Sequence, residues 1–243
     1  MDYNQQIKTI SGSIYDVYNT DSQGYKDNTM PRVGQKCEFE DGRKFVFVSS
    51  AVDITAGQVV GAPTEGVELT AVTAAYAAGT KEVAFVLAGQ TLNLLADGYL
   101  TVTLGTGVGY TYRIKSNTAS ATVSSVSNTV ICQLYDPIKV GITATDNVIV
   151  KQYRCASVLV GTAALDNVGV SCAAAPAATG SLTYFFWAQT GGIGYAEGSD
   201  VASNLNLVVG AAGTLEAADA DSEVVVARSC EGGATNGMAN LCF

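Results

Sequence analysis

Short segments with strand character recur about every ten residues from Gly34 to Arg228, with Gly, Asn, Asp or Ser beside most of them. That rhythm leaves no room for the helices of a strand–helix–strand repeat. It predicts an all-β fold, a sandwich or barrel of short antiparallel strands. A chain of 243 residues is long enough to build such a core without disulfides or metals.

The individual segments carry their own signals. Cys37 to Val48 brings Phe39, Phe45 and Phe47 around Asp41-Gly42, a strong hairpin-turn pair. Strands are expected at Gln58–Val60, Val67–Val72 and Glu82–Leu87. Ala71–Gly79 has some helical character, but its Thr and Gly argue against a long helix. Gly98–Leu104 and Tyr110–Lys115 alternate polar and apolar residues around Gly105-Thr106-Gly107-Val108-Gly109, which reads as a hairpin. Thr129–Leu134, Asn147–Tyr153 and Ser157–Val160 continue the series. Ser181–Gln189 is an aromatic strand; Thr190-Gly191-Gly192 reads as a turn with a return through Ile193–Ala196. Asn204–Val209 and Glu223–Arg228 end it.

Residues 1–33 differ from the rest. They are polar and rich in Tyr, with few aliphatic residues, and cannot bury enough apolar area to fold alone. They are read as an extended N-terminal arm that orders against a partner through Tyr3, Ile10, Ile14, Tyr15, Tyr18 and Tyr25, with a disordered tail as the alternative. Residues 34–243 form the β-rich domain, with a possible subdivision at the Ala- and Pro-containing stretch 173–180.

Several function classes fall away on residue type. The chain has no His, which removes the Ser-His-Asp and Cys-His nucleophile systems and every His-ligated metal. The expectation is a non-enzymatic protein without cofactor or metal. The formal charge is −9, and Lys and Arg are not clustered, so phosphate-backbone binding to nucleic acid is not expected. No apolar run approaches the length of a membrane span, and the polar start Met1-Asp2-Tyr3-Asn4 lacks the core of a signal peptide. The six Cys form no Cys-x-x-Cys pair. They read as buried thiols, with a Cys230–Cys242 bridge as the foremost exception.

The remaining motifs have a structural reading beside a chemical one. Gly105–Gly109 resembles a phosphate loop, but the glycine spacing is wrong and a strand follows, so a hairpin turn is favoured. Asp97, Asp136, Asp146, Asp166 and Asp200 offer glycosidase carboxylates, yet most stand beside turn-forming residues. Asp219–Glu223 lacks the pattern of an EF-hand and reads as a solvated acidic loop. Trp187 with Tyr184, Phe185, Phe186 and Tyr195 offers a sugar platform. Strand alternation puts Tyr184 and Phe186 on one face and Phe185 and Trp187 on the other, so core or subunit interface is favoured.

Four stretches together resemble the capsid decoration (cement) proteins of tailed bacteriophages. They are Asp41–Phe47, Gly98–Lys115 with its Gly109-Tyr110-Thr111-Tyr112-Arg113-Ile114-Lys115 run, Tyr184–Gly192, and Val224–Arg228. Ala227 stands where that pattern has Gly, and six Cys exceed what it leads one to expect. The resemblance implies a structural virion protein, made in the host cytoplasm. It would bind the major capsid protein on the outer capsid surface and stabilise the shell. It also implies a homotrimer, with a dimer as the alternative. The rival readings are a tail-fibre or surface adhesin that grips host glycan through Trp187 and, more remotely, a carboxylate-based glycan hydrolase.

Overall fold

The computed structural model describes residues 31–63, 67–69, 72–120, 128–179, 183–201, 205–219, 224–230 and 234–243. Tyr3, Ile10, Ile14, Tyr15, Tyr18 and Tyr25 of the expected arm lie outside the described residues. In chain order the strands are β1 (Lys36–Glu38), β2 (Lys44–Ser49), β3 (Val59–Gly61), β4 (Val67–Leu69), β5 (Glu82–Val86), β6 (Tyr99–Leu104), β7 (Thr111–Asn117) and β8 (Thr129–Leu134). They continue with β9 (Asn147–Lys151), β10 (Leu159–Val160), β11 (Asn167–Ser171), β12 (Phe185–Val201), β13 (Asn206–Val209), β14 (Leu215–Ala217), β15 (Ala227–Ser229) and β16 (Ala234–Cys242). Among the described residues the helical content is one 3-10 turn at Ala211–Gly213, so the protein is all-β.

The chain divides into two units. Residues 64–153 are inserted between the described residues up to Pro63 and those from Arg154 onward, which together form the outer unit. The division falls at these two points. The stretch 173–180, where composition suggests a subdivision, lies inside the outer unit.

The inserted unit is a six-stranded antiparallel sheet in the order β4-β9-β6-β7-β8-β5. Val72, just beyond β4, bridges to Phe85 of β5, and Thr73 N donates to Ala84 O at 2.9 Å. The two ends of the sheet therefore meet and close a barrel. The Tyr76 hydroxyl accepts from Ala84 N at 2.9 Å and bonds Thr73 Oγ1 at 3.1 Å, fastening that seam. Val72 and Tyr76 lie in bridges, so the expected helical character around 71–79 is absent from its described part. Period-two alternation fills the interior: Val83, Phe85, Leu100, Val102, Ile114, Val130, Cys132, Val148 and Val150 are all at most 2% exposed.

The outer unit is organised around β12. Over its first half β12 pairs antiparallel with β2 (Trp187 opposite Phe47) and with β11 (Gln189 opposite Val170). Over its second half it pairs with β16, Tyr195 opposite Met238. The pairings β12–β14, β14–β13, β13–β15, β15–β16 and β16–β12 return to their starting strand and form a second closed ring, filled by Ala196, Leu207, Val209, Leu215, Ala227, Ala239 and Leu241.

The turn expected at Thr190-Gly191-Gly192 does not form, because β12 runs through it without a break. A bulge between Gln189 and Gly191 shifts the register against β2, and Gly192 takes φ +78°. The buried Gln189 amide donates to Gly191 O at 3.1 Å and Ile193 O at 2.9 Å. The glycines thus bend one long strand while Gln189 satisfies carbonyls at the bend. In contrast, Asp41-Gly42 does turn the chain: Gly42 has φ +84°, and Asp41 accepts from Arg43 N at 3.1 Å and Arg43 Nε at 2.7 Å.

Candidate functional site

The aromatic strand is interior. Phe185, Phe186 and Trp187 are 6%, 0% and 4% exposed, and Tyr184 is half-buried. Alternation sends Phe185 and Trp187 to one face, where Trp187 packs edge-on against Phe47 at 5.1 Å and Phe185 stacks on Phe47 at 5.9 Å. Phe45 and Cys37 complete that cluster. Phe186 and Ala188 face the other way and are as deeply buried, opposite Val48 and Val46. Trp187 therefore offers no ring face to a glycan. Tyr195, the fifth aromatic of that grouping, is exposed and lies on the far half of β12.

Two groups of exposed apolar side chains lie elsewhere among the described residues. On the outside of the β12–β16 ribbon, Ile193, Tyr195 and Met238 are 56%, 51% and 46% exposed. Alternation puts Ile193 and Tyr195 outward while Ala196 and Ala239 point into the ring, and Tyr195 and Met238 are direct cross-strand neighbours. The exposed Cys230 joins the row, since its N–H donates to Met238 O at 3.0 Å.

The second group is at the tip of the β6–β7 hairpin in the inserted barrel. Leu104, Val108 and Tyr110 are all exposed there. The tip is held by Gly109 N on Val102 O at 2.9 Å, Val102 N on Tyr110 O at 3.0 Å and Tyr110 N on Gly107 O at 3.1 Å. Asp146 braces it from below: its Oδ2 accepts from Thr106 N at 3.3 Å and Thr143 N at 3.0 Å, and its Oδ1 accepts from the Thr143 hydroxyl. The Thr143 hydroxyl, then the two backbone N–H groups, hold this carboxyl below the usual carboxylate range. Gly105 sits at φ +104° against that carboxylate, where any side chain would overlap it.

The other carboxylates serve local geometry. Asp97 takes Arg113 Nη2 at 2.8 Å and the Tyr135 hydroxyl at 3.1 Å, with the Arg113 guanidinium over the Tyr135 ring. Asp166 pairs with Arg154 at 3.2 Å, at the rim of a cavity of about 560 Å³ walled by Leu165, Val209, Val225 and Phe243. Asp136 is exposed in a turn. The side chain of Asp200 and most of Asp219–Glu223 lie outside the described residues. Among the described residues no three His, Cys, Asp or Glu side chains gather to hold a metal.

The cysteines are all free thiols, and the Cys230–Cys242 bridge is excluded by register. Cys230 stands opposite Met238 and Cys242 opposite Val226 on the same ribbon. That separates them by roughly 13 Å at ~3.3 Å per residue, beyond the reach of a disulfide. No family model matches the chain, no curated protein matches its sequence, and no solved structure matches its fold.

Proposed function

We propose that the protein is a structural virion component that coats the outer surface of a tailed-phage capsid and stabilises it, contacting the major capsid protein and further copies of itself. The observation that carries the reading is the outward apolar row of Ile193, Tyr195 and Met238 on a ring whose interior is already filled. Large apolar side chains outside a completed core mark an interaction surface. The sequence resemblance to decoration proteins supplies the kind of assembly.

This row is also where self-association is assigned, as a homotrimer or a dimer, since Phe185 and Trp187 are consumed by the core. The amount of this chain relative to the major capsid protein in purified virions tests the reading. A decoration protein scales with the shell subunit. An adhesin on fibres, the alternative, is scarcer by an order of magnitude or more, and that result would replace the proposal.

A further inference from the structure

We infer that the β6–β7 tip is a preformed apolar plug that seats in an uncharged recess of the shell protein. The inference deepens the capsid reading and rests on it.

Three features of the tip set its partner's chemistry. The first is charge. The chain carries −9, yet residues 98–112 contain no Asp, Glu, Lys or Arg. The flanking Asp97 and Arg113 neutralise each other at 2.8 Å, and Asp146 beneath the loop is 3% exposed. An acidic protein thus presents one face to which an uncharged surface can close without stranding a charge.

The second is shape. Gly105 at φ +104° and Gly109 at φ +89° allow the loop to fold back on Val102, and the Asp146 bonds fix it. Leu104, Val108 and Tyr110 are therefore presented in one arrangement, with Tyr110 stacked on Tyr112 at 6.3 Å between ring centres. Binding has little ordering entropy left to lose.

The third is size. Three part-exposed side chains offer at most a few hundred Å², against roughly 800 Å² per partner in a stable pair. A tip-to-tip contact between two copies is therefore too small to hold. A membrane is disfavoured as well, because the loop has no cation of the kind that accompanies interfacial insertion. A contact of this size becomes effective when the linked copies of a self-associated protein engage one regular lattice together, and the shell is such a lattice.

The test uses full-length protein and purified shells stripped of it. Leu104→Ser and Val108→Ser change exposed side chains, so their melting temperatures should match wild type. Each is expected to weaken shell binding roughly tenfold, while self-association measured without shells is unchanged. Wild-type binding with both variants equally tight overturns the plug and leaves the capsid reading standing. Failure of the wild type to bind shells overturns both. Equal loss of affinity for neutral phosphatidylcholine vesicles would transfer the plug to a lipid surface and overturn the assigned partner.

Discussion

The Tyr195 ring lies on the α-carbon of Gly57: a methyl group at that glycine would overlap ring atom Cε1 and stand 3.0 Å from Cδ1. Gly57 has φ +90°, donates to Ser171 O at 2.8 Å and accepts from Glu197 N at 2.8 Å, so its backbone bridges the end of β11 to β12. Gly57→Ala should cost about 2–5 kcal/mol, the sum of left-handed strain and overpacking. Gly42→Ala is the control. Its φ is +84° but a methyl there meets nothing within 4 Å, so only the strain of about 1–2 kcal/mol remains. Denaturant unfolding of both variants checks the difference; equal losses would mean that Tyr195 simply swings away.

Trp187→Ala should destabilise by about 3–5 kcal/mol, because the ring is buried against Phe47 between paired strands. A variant with unchanged melting temperature would remove Trp187 from the core.

Gln189→Glu probes the bulge. The amide donates to two carbonyls from a site 4% exposed, and a carboxylate there would face both oxygens. A loss of about 3–5 kcal/mol is expected at pH 7, as for other unpaired buried charges. It should shrink in acid, where a protonated Glu regains one donor. A loss independent of pH would show that the side chain has left its pocket.

The cysteines give a chemical check on the register. Cys132 and Cys172 are desolvated by burial, which pushes each thiol up to about 12. At pH 8 each is then thiolate in about one part in ten thousand. Cys230 and Cys242 are exposed. Alkylation of native protein followed by peptide mass spectrometry should label Cys230 and Cys242 quickly, the half-buried Cys172 slowly, and Cys37, Cys132 and Cys155 only after denaturation. Recovery of a Cys230–Cys242 cross-linked peptide would contradict the β15–β16 register.

Legibility in the sequence followed local alternation. Hairpins with the whole signal in one stretch, such as Tyr99–Leu104 with Thr111–Asn117, are where the pattern puts them. The strands it misses have weak local signals and long-range partners. Asn167–Ser171 has a Gly in its middle, and Leu215–Ala217 is three residues long. Ala234–Cys242 takes five of its nine residues from Ala, Asn and Gly, yet it pairs along half of β12. Gly191-Gly192 has the composition of a turn, and only the distant β16 and the Gln189 amide turn it into a bend. For the same reason, the outward row of Tyr195 and Met238 is invisible in sequence, since it exists only through the long-range pairing of β12 with β16. The insertion of residues 64–153 starts within the stretch 61–66, whose Gly and Pro resemble those of the chain's other turns, so the boundary does not stand out.

Asp146 makes the stability of the inserted barrel depend on pH. Its carboxyl lies below the ordinary value of 3.8 in the folded protein because the Thr143 hydroxyl and two backbone N–H groups bond the charged form. A depressed folded value means that the unfolded chain binds the proton more readily. The contribution is thus fully present above about pH 5 and is lost as the pH falls through 3.8 toward the folded value. Asp146→Asn keeps one acceptor oxygen but removes the charge. It should lower the barrel's stability by about 1.5–3 kcal/mol at pH 7, the usual range for hydrogen bonds to a charged group. The gap between wild type and variant should narrow steadily from pH 5 to pH 3, since protonation makes the two side chains alike. Paired thermal melts across that range measure it. A gap that stays constant would show that the Asp146 bonds do not depend on its charge, and a gap that widens in acid would reverse the sign of the shift.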